Sequence, residues 1–374
     1  MPRRHRTTPG DWRSLIRRLD ELVRAGSGAD PFDEIHRLIA ARILDEQRHG
    51  GARLSAETLD LLLAEADDVW PGLSLGRSQL PPGVRAAATG LLAEFALLES
   101  GLEAVDSLFE GLSSRTSRGE RGQFFTPRHV VQAAVQIAAP RPGQRVLDPA
   151  CGSGAFLLAA QRYCPGAEIR GQDFDPRAVR TARTLVAASG GAASWISCGD
   201  SLRSPPQPAD LILTNPPFAG EIQDDRLLAG FAVSGLFRRV ERDVLFIEQC
   251  VRLLKPGGRL VAVLPHNKVG ALAFTPLRRW LMQRVRLVGV VGLPRETFLP
   301  HTSQKTAIVI GVKRPEPVET IPPEPIRMVV CESVGKDSRG APVFAAGADR
   351  HGPAWSALAH DLDEVVTAMD GVWA

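Results

Sequence analysis

VLDPACGSGAFLL, residues 146–158, is the stretch whose reading decides the fold. Val146 and Leu147 lead into Asp148 as the end of a strand. Gly152 and Gly154 make a tight turn, and AFLL opens a helix. Glycines let a ligand approach the backbone closely, and the start of a helix offers free N–H groups. A dinucleotide fingerprint needs G-x-G-x-x-G, and no third glycine follows here. No Lys-Ser or Lys-Thr follows either, which excludes a phosphate-binding P-loop.

Downstream, two more predicted strands end in acids: EIRGQDFDP, with Asp173, and ASWISCGD, with Asp200. An acid one strand beyond a Gly turn reads ribose hydroxyls, and Asp173 is the candidate. Asp175 suits the cap of the helix that begins at Pro176. Asp200 is placed to accept from an adenine amino group. Three carboxylates at successive strand ends would repel phosphate. They suit a nucleoside without one, which favours S-adenosylmethionine over NAD.

From residue 127 to about 314, strands alternate with helices, the pattern of a doubly wound α/β sheet. RLVGVVGLP and TAIVIGVKR follow each other as strands, which predicts an antiparallel strand at the sheet's end. The fold class expected is a Rossmann-like, mostly parallel sheet with an N-terminal all-helical domain. In that domain FDEIHRLIAARILDE (32–46) has helical apolar spacing, and Ser55 opens a capping-box start. After LPPG (80–83) the helix is expected to resume from Val84 to Leu112. SSRTSRGERG (113–122) is a polar linker. The expected domains are 1–118, helical; 119–314, catalytic; and 315–374, a short C-terminal extension that begins Pro-rich and ends in a helix.

ADLILTNPPF ends a strand in Asn215, Pro216, Pro217 and Phe218. Two prolines remove two N–H groups and fix two φ angles. The Asn215 side-chain oxygen and the Pro216 carbonyl then stand beyond the strand as acceptors. An aromatic exocyclic amine is a poor nucleophile because its lone pair is delocalised. Two acceptors holding its hydrogens favour a pyramidal nitrogen, a positioning and electrostatic effect. Phe218 would stack on the base, which has to leave the duplex to reach such a pocket. A cytosine-C5 enzyme needs a nucleophilic Cys after Pro, and the chain has no Pro-Cys step.

These motifs resemble the N6-adenine DNA methyltransferases of the type I restriction–modification methylation-subunit class. The resemblance runs from PFDEIHRLIAARILDE to VGKDSRGAP. It rests on GQFFTP (122–127), DPACGSGAF and NPPF in that order, and on LLKPGGRLVAVLPHNKV and LPRETFLPHTSQKTAIVI. It implies that Phe124, Phe125, Thr126 and Pro127 line the methionine end of S-adenosylmethionine, with Thr126 bonding its carboxylate. Asp148, Ala150 and Gly152, with Gly154 completing the turn, would hold the amino-acid portion. Asp173 would take the ribose, and Asp200 with Phe174 the adenine. Asn215, Pro216 and Phe218 would hold the target base. DNA is the implied partner, with a separate specificity subunit and a restriction subunit. This chain departs from the family in its short tail after residue 314 and in Asp173, where Glu is common.

One competing class is a methyltransferase acting on another amine: an RNA base, a protein glutamine or a small molecule; another is a non-enzymatic DNA-binding or assembly module with a decayed site, against which the intact motifs argue. Five scattered cysteines without a C-x-x-C pair argue against a zinc site or a disulfide framework. With no apolar run near the ~20 residues of a membrane span and no signal peptide, the expected location is cytoplasmic. The net charge of +3 permits a polyanion without requiring one. Lys268, His301, Lys305, Arg115, Arg118 and Arg121 are candidate DNA-phosphate contacts, with plain solvation as the alternative. His266 falls at a strand end on the functional edge, and His129 is read as a helix-surface residue.

Overall fold

A computed structural model describes residues 9–102, 105, 106, 109, 125–218, 220–347 and 357–374. Phe124, the three linker arginines and the boundary expected at residue 118 lie outside the described residues. The chain divides into two compact units: 1–118 with 176–196 and 349–357, and 119–175 with 197–348 and 358–374.

The first unit holds α1 (Pro9–Gly26), α2 (Pro31–His49), α3 (Leu59–Val69) and α4 (Pro82–Ala93). α2 is its centre. Asp30 caps its start through the Asp33 N–H, and Gly50 ends it in the left-handed region at φ 62°. Ser55 and Thr58 bond each other's backbone N–H groups reciprocally at 3.3 and 3.0 Å, a capping-box arrangement ahead of α3.

The helix expected from Val84 to Leu112 is interrupted after Ala93, and Leu102, Val105, Asp106 and Phe109 are again helical. Side chains of α2 occupy the backbone groups that would continue it. Arg42 Nη2 donates to the Phe95 carbonyl at 2.7 Å, and Glu46 accepts from the Leu97 and Leu98 N–H groups at 2.8 Å each. Arg42 is fully buried and is ion-paired with Asp45 at 3.2 Å and Glu46 at 2.8 Å.

The second unit is built on an eight-stranded sheet, among the described residues, in the order β3-β2-β1-β4-β5-β7-β6-β8. The strands are β1 (Arg145–Asp148), β2 (Glu168–Asp173), β3 (Ile196–Cys198), β4 (Ala209–Thr214), β5 (Leu254–Pro265), β6 (Val285–Leu293), β7 (Thr306–Lys313) and β8 (Arg327–Val330). β1 pairs in parallel with β2 and β4, and β4 with β5. β7 runs antiparallel to both β5 and β6. The antiparallel strand thus lies inside the sheet, and β8, parallel to β6, forms the edge. The helices are α5 (Arg128–Ala138), α6 (Ala155–Tyr163), α7 (Pro176–Ala188), α8 (Asp225–Ala229), α9 (Arg242–Leu253), α10 (His266–Gly270), α11 (Thr275–Arg284) and α12 (Leu362–Ala368). α7, which leaves β2, belongs to the first unit, where Thr184 and His36 bond at 2.9 Å.

The chain goes one way across the sheet from β1 to β2 and β3, then returns to place β4 on the other side of β1. That reversal is a topological switch point, where open α/β sheets bind ligands beyond their strand ends. Both the Gly turn and the double proline leave the sheet there. Leu147, Ile212, Leu260 and Val309 pack against Leu245 and Phe246 of α9 to make the core beneath it.

Candidate active site

Asp148, at the end of β1, is 1% exposed. Its Oδ1 accepts from the Ala150 N–H at 3.0 Å and the Thr214 hydroxyl at 2.6 Å. The turn that follows puts Gly152 at φ 52° and Gly154 at φ 91°, positions that favour glycine. A Cβ built on Gly152 meets open space. The Cys151 N–H donates to the Gln172 carbonyl at 2.9 Å and ties the turn to β2. Asp173 closes the cradle: Oδ2 accepts from the Gly152 N–H and Oδ1 from the Asp175 N–H, each at 2.9 Å.

Burial pushes the Asp148 carboxyl up to about 7, against the pull of its two hydrogen bonds, and nearby Asp173 adds to the rise. Burial likewise raises Asp173 to about 6. The cradle therefore holds two acids poised near neutrality, the condition in which a cationic ligand draws out their charged forms.

Asn215 follows Thr214, whose hydroxyl bonds Asp148, and its side chain reaches Thr126. Asn215 Nδ2 donates to Thr126 Oγ1 at 2.9 Å. Thr126 is buried and immediately precedes Pro127, which leads into α5. A hydroxyl has two acceptor sites and one proton, so accepting from Asn215 leaves Thr126 its own O–H to donate. The FTP segment and the NPPF motif are thus one assembly, although 89 residues separate the bonded side chains.

The other candidates fall around this centre. Ala150, Phe125, Pro127 and Phe174 are half-buried, while Pro216 and Pro217 are buried. The Phe218 ring is buried edge-on against Phe298, with centroids 5.3 Å apart. Asp200 is partly exposed. It accepts from the Leu202 N–H at 3.0 Å and lies 3.4 Å from Arg203, which also pairs with Asp224 at 2.5 Å. Thr214 and Phe298 were not singled out from sequence. Thr214 directly precedes the double-proline motif, a signal available to inspection; nothing local marks Phe298.

Two readings of single residues change. Lys268 was a candidate phosphate contact, but its side chain is 1% exposed. It is paired with Asp243 at 3.0 Å and Glu241 at 2.5 Å, and its ammonium lies over the Phe274 ring. A charge consumed inside the fold cannot reach a phosphate. His129 is buried and not on the surface, because its face of α5 is covered. Its ring stacks on His360 at 5.5 Å, and burial, then His360 and Lys336, lower its pKa to about 3.

The fold and this strand-end arrangement define the class: a Rossmann-like sheet of the S-adenosylmethionine methyltransferase type with an N-terminal helical region. A family profile described as N-6 DNA Methylase matches residues 106–321, more than half of the chain. The chain belongs to the N-6 DNA methylase family. It is 29% identical over 217 residues to the type I restriction enzyme EcoEI methylase subunit of Escherichia coli, covering 53% of this chain and 44% of that one. It is 32% identical over 176 residues to the type II methyltransferase M.TthHB8I of Thermus thermophilus, covering 44% of this chain and 39% of that one. The chain thus spans less than half the length of these relatives. Among solved structures, the methyltransferase subunit of a type I restriction–modification system from Streptococcus thermophilus aligns with TM-score 0.65 at 16% identity. That alignment covers 98% of this chain and 94% of the other, a likeness of fold.

Proposed function

We propose that this protein is an S-adenosylmethionine-dependent DNA methyltransferase. Its target is the exocyclic N6 of an adenine turned out of the duplex. Its setting is the modification subunit of a restriction–modification or related system, in the cytoplasm, working with separate specificity and restriction subunits. Among the described residues no helix is long and apolar enough to cross a membrane. The domain assignment that goes with this reading is 1–118 helical, 119–314 catalytic and 315–374 a C-terminal extension. The observation that carries the reading is the Asn215–Thr126 bond at 2.9 Å, which joins the double-proline motif to the segment before the Gly turn.

The cradle fits the cofactor on its own terms. Gly152 leaves open space where any other residue would place a Cβ. The two buried carboxylates offer charge to a cationic amino group and acceptors to hydroxyls. Asp148, Ala150, Gly152 and Gly154 would hold the amino-acid portion, and Thr126, with Phe125 and Pro127, its carboxylate end. Asp173 would hold the ribose, and Asp200 with Phe174 the adenine. When bound, S-adenosylmethionine supplies an electrophilic methyl group on a sulfonium.

This chain's own residues do the rest. The Asn215 side-chain oxygen and the Pro216 carbonyl accept from the two hydrogens of the amine and align its lone pair. Neither is a base, so their work is positioning and stabilisation of the charge that develops on nitrogen. Thr126 holds the Asn215 amide so that its oxygen faces away from the hydroxyl. Phe218 is covered in this structure, so stacking a base on its face requires the segment carrying Phe298 to shift.

Radiolabelled methyl transfer tests the reading, with plasmid DNA, RNA and free nucleosides offered in the presence and absence of neighbouring subunits. Incorporation into DNA adenine is expected. Incorporation only into RNA, protein or small amines would replace the substrate and keep the chemistry. Asn215→Ala is expected to abolish transfer and keep cofactor affinity; Asp173→Ala is expected to weaken the cofactor.

A further inference from the structure

The ends of β5 and β6 and the start of β7 meet beyond the sheet: Pro265 is paired with Thr306, and Leu293 with Thr306. The His266 N–H donates to the Lys305 carbonyl at 2.8 Å and holds the segment after β5 to the segment before β7. Past this junction lies a shallow, open cleft of about 520 Å³ lined by His266, Asn267, Arg295, Ser303, Gln304 and Lys305 together with Gly270 and Ala271. The volume falls within the roughly 300–1,000 Å³ of small-ligand sites.

Its electrostatics are one-sided. None of the lining residues is acidic. Arg295 and Lys305 are exposed, and among the described residues neither forms an ion pair. Lys268, next to Asn267 in the chain, behaves otherwise: it is taken by Asp243 and Glu241. Two cations and an imidazole from three separate segments converge on one concave space and leave their charge to whatever enters. Asn267 and Gln304 add amides that can both donate and accept.

The register locates the cleft relative to the amine grip. Thr214 pairs with Ala262, so Asn215 stands beside Val263, three residues before His266 on the neighbouring strand. At about 3.3 Å per residue, the cleft begins on the order of 10 Å beyond Asn215 along the same edge. A strand whose base reaches Asn215 has its sugar–phosphate backbone pass close by.

We propose that the His266–Arg295–Lys305 cleft binds the phosphodiester backbone of the nucleic-acid strand that carries the target amine. This assignment rests on the methylation reading above. Arg295 and Lys305 neutralise phosphate, and His266, Asn267 and Gln304 bond phosphate oxygens or the adjoining base edge. The cleft sets the position and affinity of the strand; Asn215 sets the chemistry.

The test is fluorescence anisotropy with the full chain and a labelled 30-base-pair DNA and its single strand, titrated over a range of salt concentrations. The Arg295→Gln/Lys305→Gln double variant is expected to bind about tenfold more weakly or worse at low salt. Its log–log salt slope is expected to fall by about 1.4–1.8, two contacts at roughly 0.7–0.9 each. Cofactor affinity by calorimetry stays at the wild-type value, and the charge-keeping Arg295→Lys/Lys305→Arg variant recovers most of the DNA affinity. Unchanged affinity and slope in the double variant overturn the assignment, as does a wild-type protein that binds no DNA at low salt. Inorganic phosphate or AMP competing at concentrations comparable to DNA identifies a free phosphate ligand and overturns the polymer. Wild-type protein that binds DNA through the cleft but transfers no methyl group, with or without neighbouring subunits, sinks the methylation reading alone. Full transfer by the double variant at limiting DNA sinks the cleft alone.

Discussion

Replacing Thr126 by Val removes the acceptor for the Asn215 amide at nearly constant volume. The bond it breaks is 2.9 Å long, and Thr126 is buried. A hydrogen bond of this kind contributes about 0.5–1.5 kcal/mol net. In the proposed mechanism that energy keeps the Asn215 oxygen aimed at the amine, and about 1.4 kcal/mol corresponds to a tenfold change in rate. Thr126→Val is therefore expected to slow methyl transfer about tenfold under single-turnover conditions with saturating cofactor. Asn215→Ala deletes the acceptor itself and should cost about 10²–10³, the scale for losing one preorganised group at a developing charge. If Thr126 acts on the chemical step through Asn215, Thr126→Val has nothing left to disturb once Asn215 is Ala. The double variant should then match Asn215→Ala, with a coupling energy of about 1–1.5 kcal/mol. Thr126→Ser keeps the oxygen and should recover most of the rate. Single-variant losses that simply multiply in the double variant would refute the linkage.

Three further outcomes follow from the same geometry. Asp148 keeps its proton in the folded state up to about 7 and Asp173 up to about 6, while in the unfolded chain both ionise near 4. The unfolded chain then binds fewer protons, so the stability of the ligand-free protein should fall as pH rises from about 4 to about 7; thermal melts across that window check it, and Asp148→Asn should flatten the slope. Gly152→Ala puts a Cβ into open space at φ 52°; it should lower stability by only about 1–2 kcal/mol yet weaken S-adenosylmethionine binding at least tenfold by calorimetry, and wild-type affinity would show that the ligand does not lie against this turn. Arg42→Ala strips a buried cation from Asp45, Glu46 and the Phe95 carbonyl; denaturant titration should show a loss of about 3–5 kcal/mol, and a loss under 1 kcal/mol would mean that the first unit does not depend on this network.

The alternation of strands and helices after residue 127, the Gly turn, the acid-ended strands and the double proline could all be read along the chain, because each is a local pattern with its own backbone or burial requirement. Glycines at positive φ and prolines at a strand end are dictated within a few residues. So were α2 and the capping-box turn at Ser55. What failed were inferences that needed knowledge of partners. Lys268 looks like any surface lysine until Asp243 and Glu241 close around it, and His129 looks exposed until His360 covers it. The stretch expected to be helical from Val84 to Leu112 is helical by composition; it breaks after Ala93 because Arg42 and Glu46, some fifty residues earlier, take its backbone groups.

The sequence by itself determined the sheet, the order of the motifs and the residue types gathered at the strand ends, since backbone preference and hydrophobic periodicity act over short range. Only the tertiary structure decided which of those residues meet. It set Asn215 against Thr126, pressed Asp148 and Asp173 into a buried cradle, and inserted β7 between β5 and β6. It left Arg295 and Lys305 without a counter-charge among the described residues of their cleft. Pairing, burial and charge balance depend on groups far apart in the chain, and no local pattern encodes which of them will be neighbours.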